Sequence, residues 1–293
     1  MMPQQSHALT SVRHAAKSIA ARVRRFVAAP TRDKVAAIQW RVNRFLLARR
    51  GQLPGPVNRF RARYGLVLAM ARRRAGDVYD QREPLVSILI PTYNRAAVLT
   101  ERSIPSALRQ TYARVEVIIV GDACTDDTAA LVAKMGDPRI RFVNLPSKEI
   151  LPADPWHAWL VAGTQPANFA LALARGRWVA WLDDDDEFSD DHIEVLLRTC
   201  FARRLEFAYG IMSDEVDAGQ WQPVGAYPPT LGRICNASVL YVSYLSFLRY
   251  DAEAWRDNEP GDWNLWKRMW GAGVRMGFVN QTVGRHFKHH RPR

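Results

Sequence analysis

The sequence predicts an α/β protein: a mostly parallel sheet covered by helices over residues 83–293, preceded by a basic helical extension over residues 1–82. Three observations carry that expectation. Charge divides by position, since residues 1–82 hold 18 Lys and Arg against 3 acids and residues 83–293 hold 23 against 26, local balances of +15 and −3 within an overall +12. Apolar spacing divides at the same place, helical in the extension and, after it, short apolar runs alternating with helical stretches. Composition is that of a globular chain, 48% hydrophobic and 24% charged over 293 residues, which excludes a disordered, collagen-like or disulfide-scaffold protein.

In the extension, apolar residues recur at intervals of three and four over 9–26, 35–45 and 57–71. Pro30 and the run Gly51, Pro54, Gly55, Pro56 separate them, so three amphipathic helices with Arg-rich polar faces are expected. Two uses stand level: packing on the main domain or on a second copy, and docking of residues 1–75 on an anionic membrane surface. Nucleic acid ranks third, because the aromatics sit on the apolar stripe. An Arg-rich, acid-poor start also resembles a transit peptide. No charge-free run of about 20 apolar residues occurs, and no secretory signal is legible, so a cytoplasmic protein, peripheral at most on the inner face of the membrane, is expected. Cys124, Cys200 and Cys235 are far apart and form no C-x-x-C pair, which fits a reducing compartment and opposes a zinc knuckle.

In the main domain, runs at 85–90, 115–120, 140–143, 178–182 and 205–209 read as strands. Helical periodicity covers 97–110, 128–135, 168–174 and 190–204. In such sheets ligands bind outside the carboxyl ends of the strands. The residues there are Pro91-Thr92-Tyr93-Asn94-Arg95, Gly121 to Asp127 and Asp183 to Glu187. Neither a G-x-G-x-x-G nor a P-loop motif is present, so phosphate must be held another way.

The acidic run is the strongest signal. Alternation along a strand predicts that Asp183 and Asp185 converge while Asp184 faces elsewhere. Concentrated carboxylates call for a hard divalent cation, Mg2+ or Mn2+, of the kind that bridges to phosphates. Phe188 stands where an EF-hand loop needs glycine. Ser189 reads as a helix cap, with Asp190 and Asp191 as first-turn acids. The segment 146–166, with Asp154, Trp156, His157 and Trp159, is long for a connection. Its aromatics suit stacking on a sugar, closing over a ligand, or plugging the core. Trp263, Trp266 and Trp270, at i, i+3 and i+7, read as core.

Four linked motifs, SILIPTYNR at 87–95, QTYARVEVIIVGDACTDDT at 110–128, ANFALALARGRWVAWLDDDDEF at 167–188 and GDWNLWKRM at 261–269, resemble the family 2 inverting glycosyltransferases of the GT-A fold. The resemblance implies a nucleotide-diphosphate sugar donor, with a UDP-sugar first in order, a glycan or lipid-linked acceptor, and Mn2+ or Mg2+. It implies that Pro91, Thr92, Tyr93 and Arg95 line the nucleotide-sugar pocket, that Asp122 meets the base, and that Asn168, Asp183 and Asp184 contact the donor. Asp185, helped by Asp183, would hold the metal, together with a C-terminal histidine, His289 before His286 or His290. Asp262, which by spacing alone reads as a helix cap, would be the catalytic base. Gly121, Ala167 and Gly261 stand where relatives often carry Asp, Arg and Glu. The rivals are a sugar nucleotidyltransferase and a non-catalytic adapter on a degenerate transferase domain.

Overall fold

The computed structural model describes residues 56–288. The periodic runs at 9–26 and 35–45, and the expected metal ligand His289, lie outside the described residues. The third run of the extension forms helix α1 (Pro56–Ala75). Strand β1 (Val86–Thr92) follows and leads into α2, a helix that begins at Ala96–Val98, passes through a π-helical turn at Leu99–Ser103 and ends as Ile104–Leu108. Then come β2 (Val115–Gly121), α3 (Thr128–Met135), β3 (Ile140–Asn144), α4 (Pro155–Val161), α5 (Thr164–Leu173) and β4 (Trp178–Trp181). The second half holds β5 (Glu187–Phe188), α6 (His192–Arg203), β6 (Phe207–Asp217), β7 (Gln220–Val224), β8 (Val239–Val242), α7 (Gly261–Ala272) and β9 (Met276–His286).

The strands form one sheet in the order β3-β2-β1-β4-β8-β6-β9-β5, with β7 paired to β6. The β3, β2, β1 and β4 strands are parallel, β8 runs against both neighbours, and β9 lies parallel to β6. The apolar runs explain the parallel half: β2 is buried at every position and β1 at all but one, as strands covered on both faces must be. One polar pair crosses this interior. Ser87 donates to Glu116 at 2.6 Å, and Arg175 closes the carboxylate from outside. The order of connection reverses beside β1, since β2 and β3 lie on one side and β4 on the other. That switch opens a crevice at the carboxyl ends of β1 and β4.

Helix α1 belongs to this compact unit. Phe60 rests on Gly271 of α7, where any Cβ would come within 2.7 Å of the ring, and Tyr64 and Leu68 are buried. Arg72 pairs with Glu206, a wholly buried carboxylate that also accepts from the Tyr244 hydroxyl and the Arg275 amide. Burial pushes Glu206 up, and the hydrogen bonds from Arg72, the Arg275 amide and Tyr244, with the Arg72 charge, together outweigh it and hold the group below its ordinary value. The opposite face of α1 leaves Leu66 and Met70 exposed near Arg73 and Arg74.

Three local expectations need correction. Segment 146–166 contains α4, whose start is set by Pro155 at the first turn and Asp154 capping the His157 amide at 2.8 Å. Ser189 does not cap α6, because its hydroxyl donates to Asp191 instead. The strand before the acidic run ends at Trp181, so alternation does not govern the aspartates. They occupy a turn closed by the Asp186 amide on the Asp183 carbonyl at 3.1 Å.

Candidate active site

The crevice gathers the ends of β1 and β4. The Thr92 hydroxyl donates to Asp184 at 2.7 Å, the Tyr93 amide lies 3.4 Å from the same carboxylate, and Arg95 bridges Asp184 at 3.4 Å and Asp185. Asp184 and Asp185 therefore share one guanidinium, while Asp183 turns away to accept from Asn236 at 2.6 Å. The expected pairing of Asp183 with Asp185 is replaced by this arrangement. Burial pushes Asp184 above the usual carboxylate range, with Arg95 and Thr92 opposing. Burial likewise raises Asp183, against its bond to Asn236.

Asp122, at the end of β2, is buried and accepts from the Glu149 amide at 2.9 Å. Glu149 in turn accepts from the Gly163 and Gln165 amides at the start of α5, so segment 146–166 is tied down on the edge of the crevice. Lys148 lies 3.5 Å over the half-exposed Tyr93 ring. Asn168 spends both ends of its amide on the backbone of Tyr250, at 3.0 Å each, which fixes that residue. Its neighbour Ala167 is buried.

The acidic turn is anchored from below. Arg102 and Ser103 donate to the Asp185 and Asp186 carbonyls at 2.8 and 3.0 Å, a use for the π-turn that carries them. The Asp186 carboxylate is buried and bonded to His286 at 2.9 Å. Burial opposes a proton on His286, but the Asp186 hydrogen bond and the surrounding carboxylates outweigh it and raise the imidazole to about 9.

Across the crevice, α7 presents Asp262 in its first turn. A cleft runs between Pro91 and Asp183 on one side and Gly261 and Asp262 on the other, lined also by Trp159 and Thr164. Among the described residues Asp262 accepts hydrogen bonds from backbone amides alone, that of Trp263 at 2.7 Å. Burial pushes it up to about 6, the Trp263 amide opposes, and the nearby Asp183 adds to the rise. The spacing argument for a cap fails because Pro260 holds the cap position. Asn236 and Tyr250 escaped sequence reasoning. The Tyr250 hydroxyl donates to Asn236 at 2.6 Å, so the two brace Asp183 from chain distances with no local signature. Of the predicted tryptophans, Trp266 is fully buried and Trp263 and Trp270 pack on the core's edge.

Among the described residues no cluster of three metal-ligating side chains is gathered, and no helix is long and apolar enough to cross a membrane.

The chain as a whole is similar to known proteins. The model of the glycosyl transferase family 2 matches residues 87–153 and 166–240. Over 124 residues the chain is 35% identical to hyaluronan synthase of Pasteurella multocida, covering 42% of this chain and 11% of that protein. It is 28% identical over 211 residues to the Escherichia coli UDP-Glc:alpha-D-GlcNAc-diphosphoundecaprenol beta-1,3-glucosyltransferase WfaP, covering 67% of this chain and 74% of that one. The chain thus spans only a small part of the length of the synthases it matches. Among solved structures, S. aureus TarS 1–349 in complex with UDP-GlcNAc aligns with a TM-score of 0.55 at 18% identity, covering 71% of this chain and 60% of that one. The mannosyltransferase PcManGT from Pyrobaculum calidifontis, in complex with GDP-Man and Mn2+, aligns at 0.52 and 15% identity, covering 86% and 68%. These likenesses bear out the fold, and with the family model over residues 87–153 and 166–240 they place this chain in glycosyl transferase family 2, with the GT-A fold.

Proposed function

We propose that the protein transfers a sugar from a nucleotide-diphosphate donor to an acceptor hydroxyl, with inversion at the anomeric carbon, in the assembly of a cell-surface glycan or glycolipid. One observation carries the reading. The strand ends at the switch point, through Pro91 and Asp183, face across one cleft the half-buried carboxylate of Asp262, whose pKa of about 6 suits a base working near neutrality. The relatives support the class: WfaP is named as a glucosyltransferase using UDP-Glc, and the TarS and PcManGT structures hold UDP-GlcNAc and GDP-Man.

In this reading Thr92, Tyr93 and Asp122 receive the nucleoside, and Asp184 the ribose or sugar. Inversion needs the acceptor oxygen to attack the anomeric carbon from the side opposite the diphosphate. Asp262 takes the hydroxyl proton as the new C–O bond forms and the bond to the diphosphate breaks with its electron pair. Its desolvation and the nearby Asp183 outweigh the opposing amide and the His286 charge and keep it basic enough for that task, and Asn236 holds Asp183 so that the cleft keeps its shape. Asp185 offers the hard carboxylate oxygens that Mn2+ or Mg2+ prefers, and the positive group now beside it, Arg95, is the kind of charge such an ion would replace. A bound ion there would supply positive charge for the leaving diphosphate.

The test is thermal stability of the purified protein against UDP, GDP, CDP and dTDP, with and without Mn2+, alongside Asp185→Ala. A ligand at a hundred times its Kd adds about 2.7 kcal/mol. A Mn2+-dependent rise with one diphosphate, lost in Asp185→Ala, is expected. A folded protein that responds to none of them would sink the reading. The exposed Leu66 and Met70 beside Arg73 and Arg74 support a peripheral place on anionic membranes, checked by sedimentation with phosphatidylglycerol vesicles, and no binding would remove it.

A further inference from the structure

We propose that Trp156 and Trp159 form the platform on which a neutral sugar ring of the acceptor stacks, an inference that rests on the transferase reading above. The two indoles stack on each other, centroids 5.0 Å apart and planes 22° from parallel, yet they are 52% and 46% exposed. Large rings are seldom left in water beside a polar site without a use. Trp159 lines the same cleft as Asp262, and Trp156 extends the aromatic surface outward from it.

The platform is held rigidly by contacts of its own. The Trp156 indole N–H donates to Asn258 at 2.8 Å, and His157 packs on Trp255 with centroids 5.0 Å apart. Leu160 and Val161 bury against Ala254 in a small apolar cluster separate from the main core. A preorganised aromatic face loses little entropy when a ligand settles on it. The apolar C–H face of a pyranose matches an indole in size and polarity.

Charge selects the occupant. Asp154, Asp251, Glu253 and Asp257 are exposed around the platform, and Arg256, the one basic residue between 251 and 259, is paired with Glu253. That rim repels phosphate, uronate and anionic headgroups, so it favours a neutral ring over a lipid surface. The position in the chain agrees. Helix α4 falls in the gap between residues 153 and 166 that divides the family match, apart from the shared donor-side motifs.

The experiment uses the full chain and the variants Trp159→Ala, Trp156→Ala and Trp159→Phe. Saturation-transfer NMR and indole fluorescence are followed with cellobiose, chitobiose, lactose and maltose, with a glucuronate disaccharide as the anionic counterpart. Donor-side integrity is followed separately by UDP and GDP stabilisation, and lipid binding with phosphatidylglycerol vesicles. A neutral disaccharide is expected to bind the wild type, about tenfold more weakly to Trp159→Ala, and with partial recovery in Trp159→Phe, with nucleotide stabilisation unchanged. Equal saccharide binding by the wild type and Trp159→Ala would overturn the proposal, as would no binding of any neutral disaccharide by the wild type. Loss of nucleotide stabilisation in the Trp variants would assign the pair to the donor, and loss of vesicle binding alone would assign it to lipid, and either result overturns it. Failure of the transferase reading shows elsewhere, as absent nucleotide stabilisation in the wild type.

Discussion

The two walls of the cleft are built on opposite electrostatic plans. On the β1 and β4 side every carboxylate is met by a donor or cation: Asp184 by Thr92 and Arg95, Asp185 by Arg95, Asp183 by Asn236 and Asp122 by the Glu149 amide. On the α7 side Asp262, among the described residues, accepts hydrogen bonds from backbone amides alone, with Trp159 and Tyr250 lining the same cleft. On the proposed reading, the contrast teaches that the wall facing the donor stores its charge in internal pairs that a ligand can take over. The wall that would face the acceptor leaves one charge partly desolvated, so that it binds a proton more readily.

That contrast breaks first, and hardest, at Asp262. Asp262→Asn is expected to lower the transfer rate by about a thousandfold, within the range of general-base deletions, with UDP or GDP stabilisation unchanged. If nucleotide binding falls with the rate, Asp262 belongs to the donor wall and the division is wrong. Next comes Asp184→Asn. Losing charge-assisted bonds to Thr92 and Arg95 should weaken donor binding by about thirtyfold, on the order of 2 kcal/mol, with a much smaller change in kcat. An unchanged donor KM would show that Asp184 serves only the fold.

The pH profile sharpens the comparison without any substitution. A base with a pKa near 6 must be deprotonated to act, so kcat/KM should rise about tenfold per pH unit below about 6 and level off above it. Asp183→Asn removes a like charge and should move that midpoint down. A midpoint left in place would mean that burial alone sets it. The smallest expected effect lies away from the chemistry. Arg72→Ala should cost about 2 kcal/mol in urea unfolding by stripping Glu206 of its main partner, with transfer kinetics retained. Glu206 is held below 4.5 in the fold, so the lost stability should be full above that pH and fade as pH falls through the folded value. A difference that persists in strong acid would place the effect in packing of α1.

The two walls also differed in how far they could be read from sequence. The runs VSILIPT, VEVIIVG and WVAW are buried on both faces, and such strands announce themselves by composition. The residues after them reach the crevice because strand order, legible from alternating elements, puts it there. The acceptor wall depends on contacts distant in sequence. Asn236 and Tyr250 matter only because α5, through Asn168, holds Tyr250 against Asp183's partner. Strands β7 and β9 are partly exposed and carry polar residues, so no apolar run marks them. Asp262 was visible by resemblance alone, since local chemistry makes an aspartate after Pro-Gly look like a cap. The turn at Asp183 to Asp186 misled for a related reason. Alternation applies only while the backbone stays extended, and it stops at Trp181.

The glycine at 121, where the family resemblance would set a second aspartate, sits in crowded surroundings. A Cβ at that position would meet the Asn144 amide oxygen at 2.5 Å and the Cys124 sulfur at 2.9 Å. Asn144 is held in place by two bonds to the Cys124 backbone at 2.8 Å, across a turn in which Ala123 takes a left-handed φ of 55°. Gly121→Asp alone therefore collides with both side chains, and exchanging Asn144 for a smaller residue still leaves the Cys124 sulfur in the way. Substitutions at positions 121, 124 and 144 are therefore coupled: a side chain at 121 is admitted only when the groups at both 124 and 144 give way.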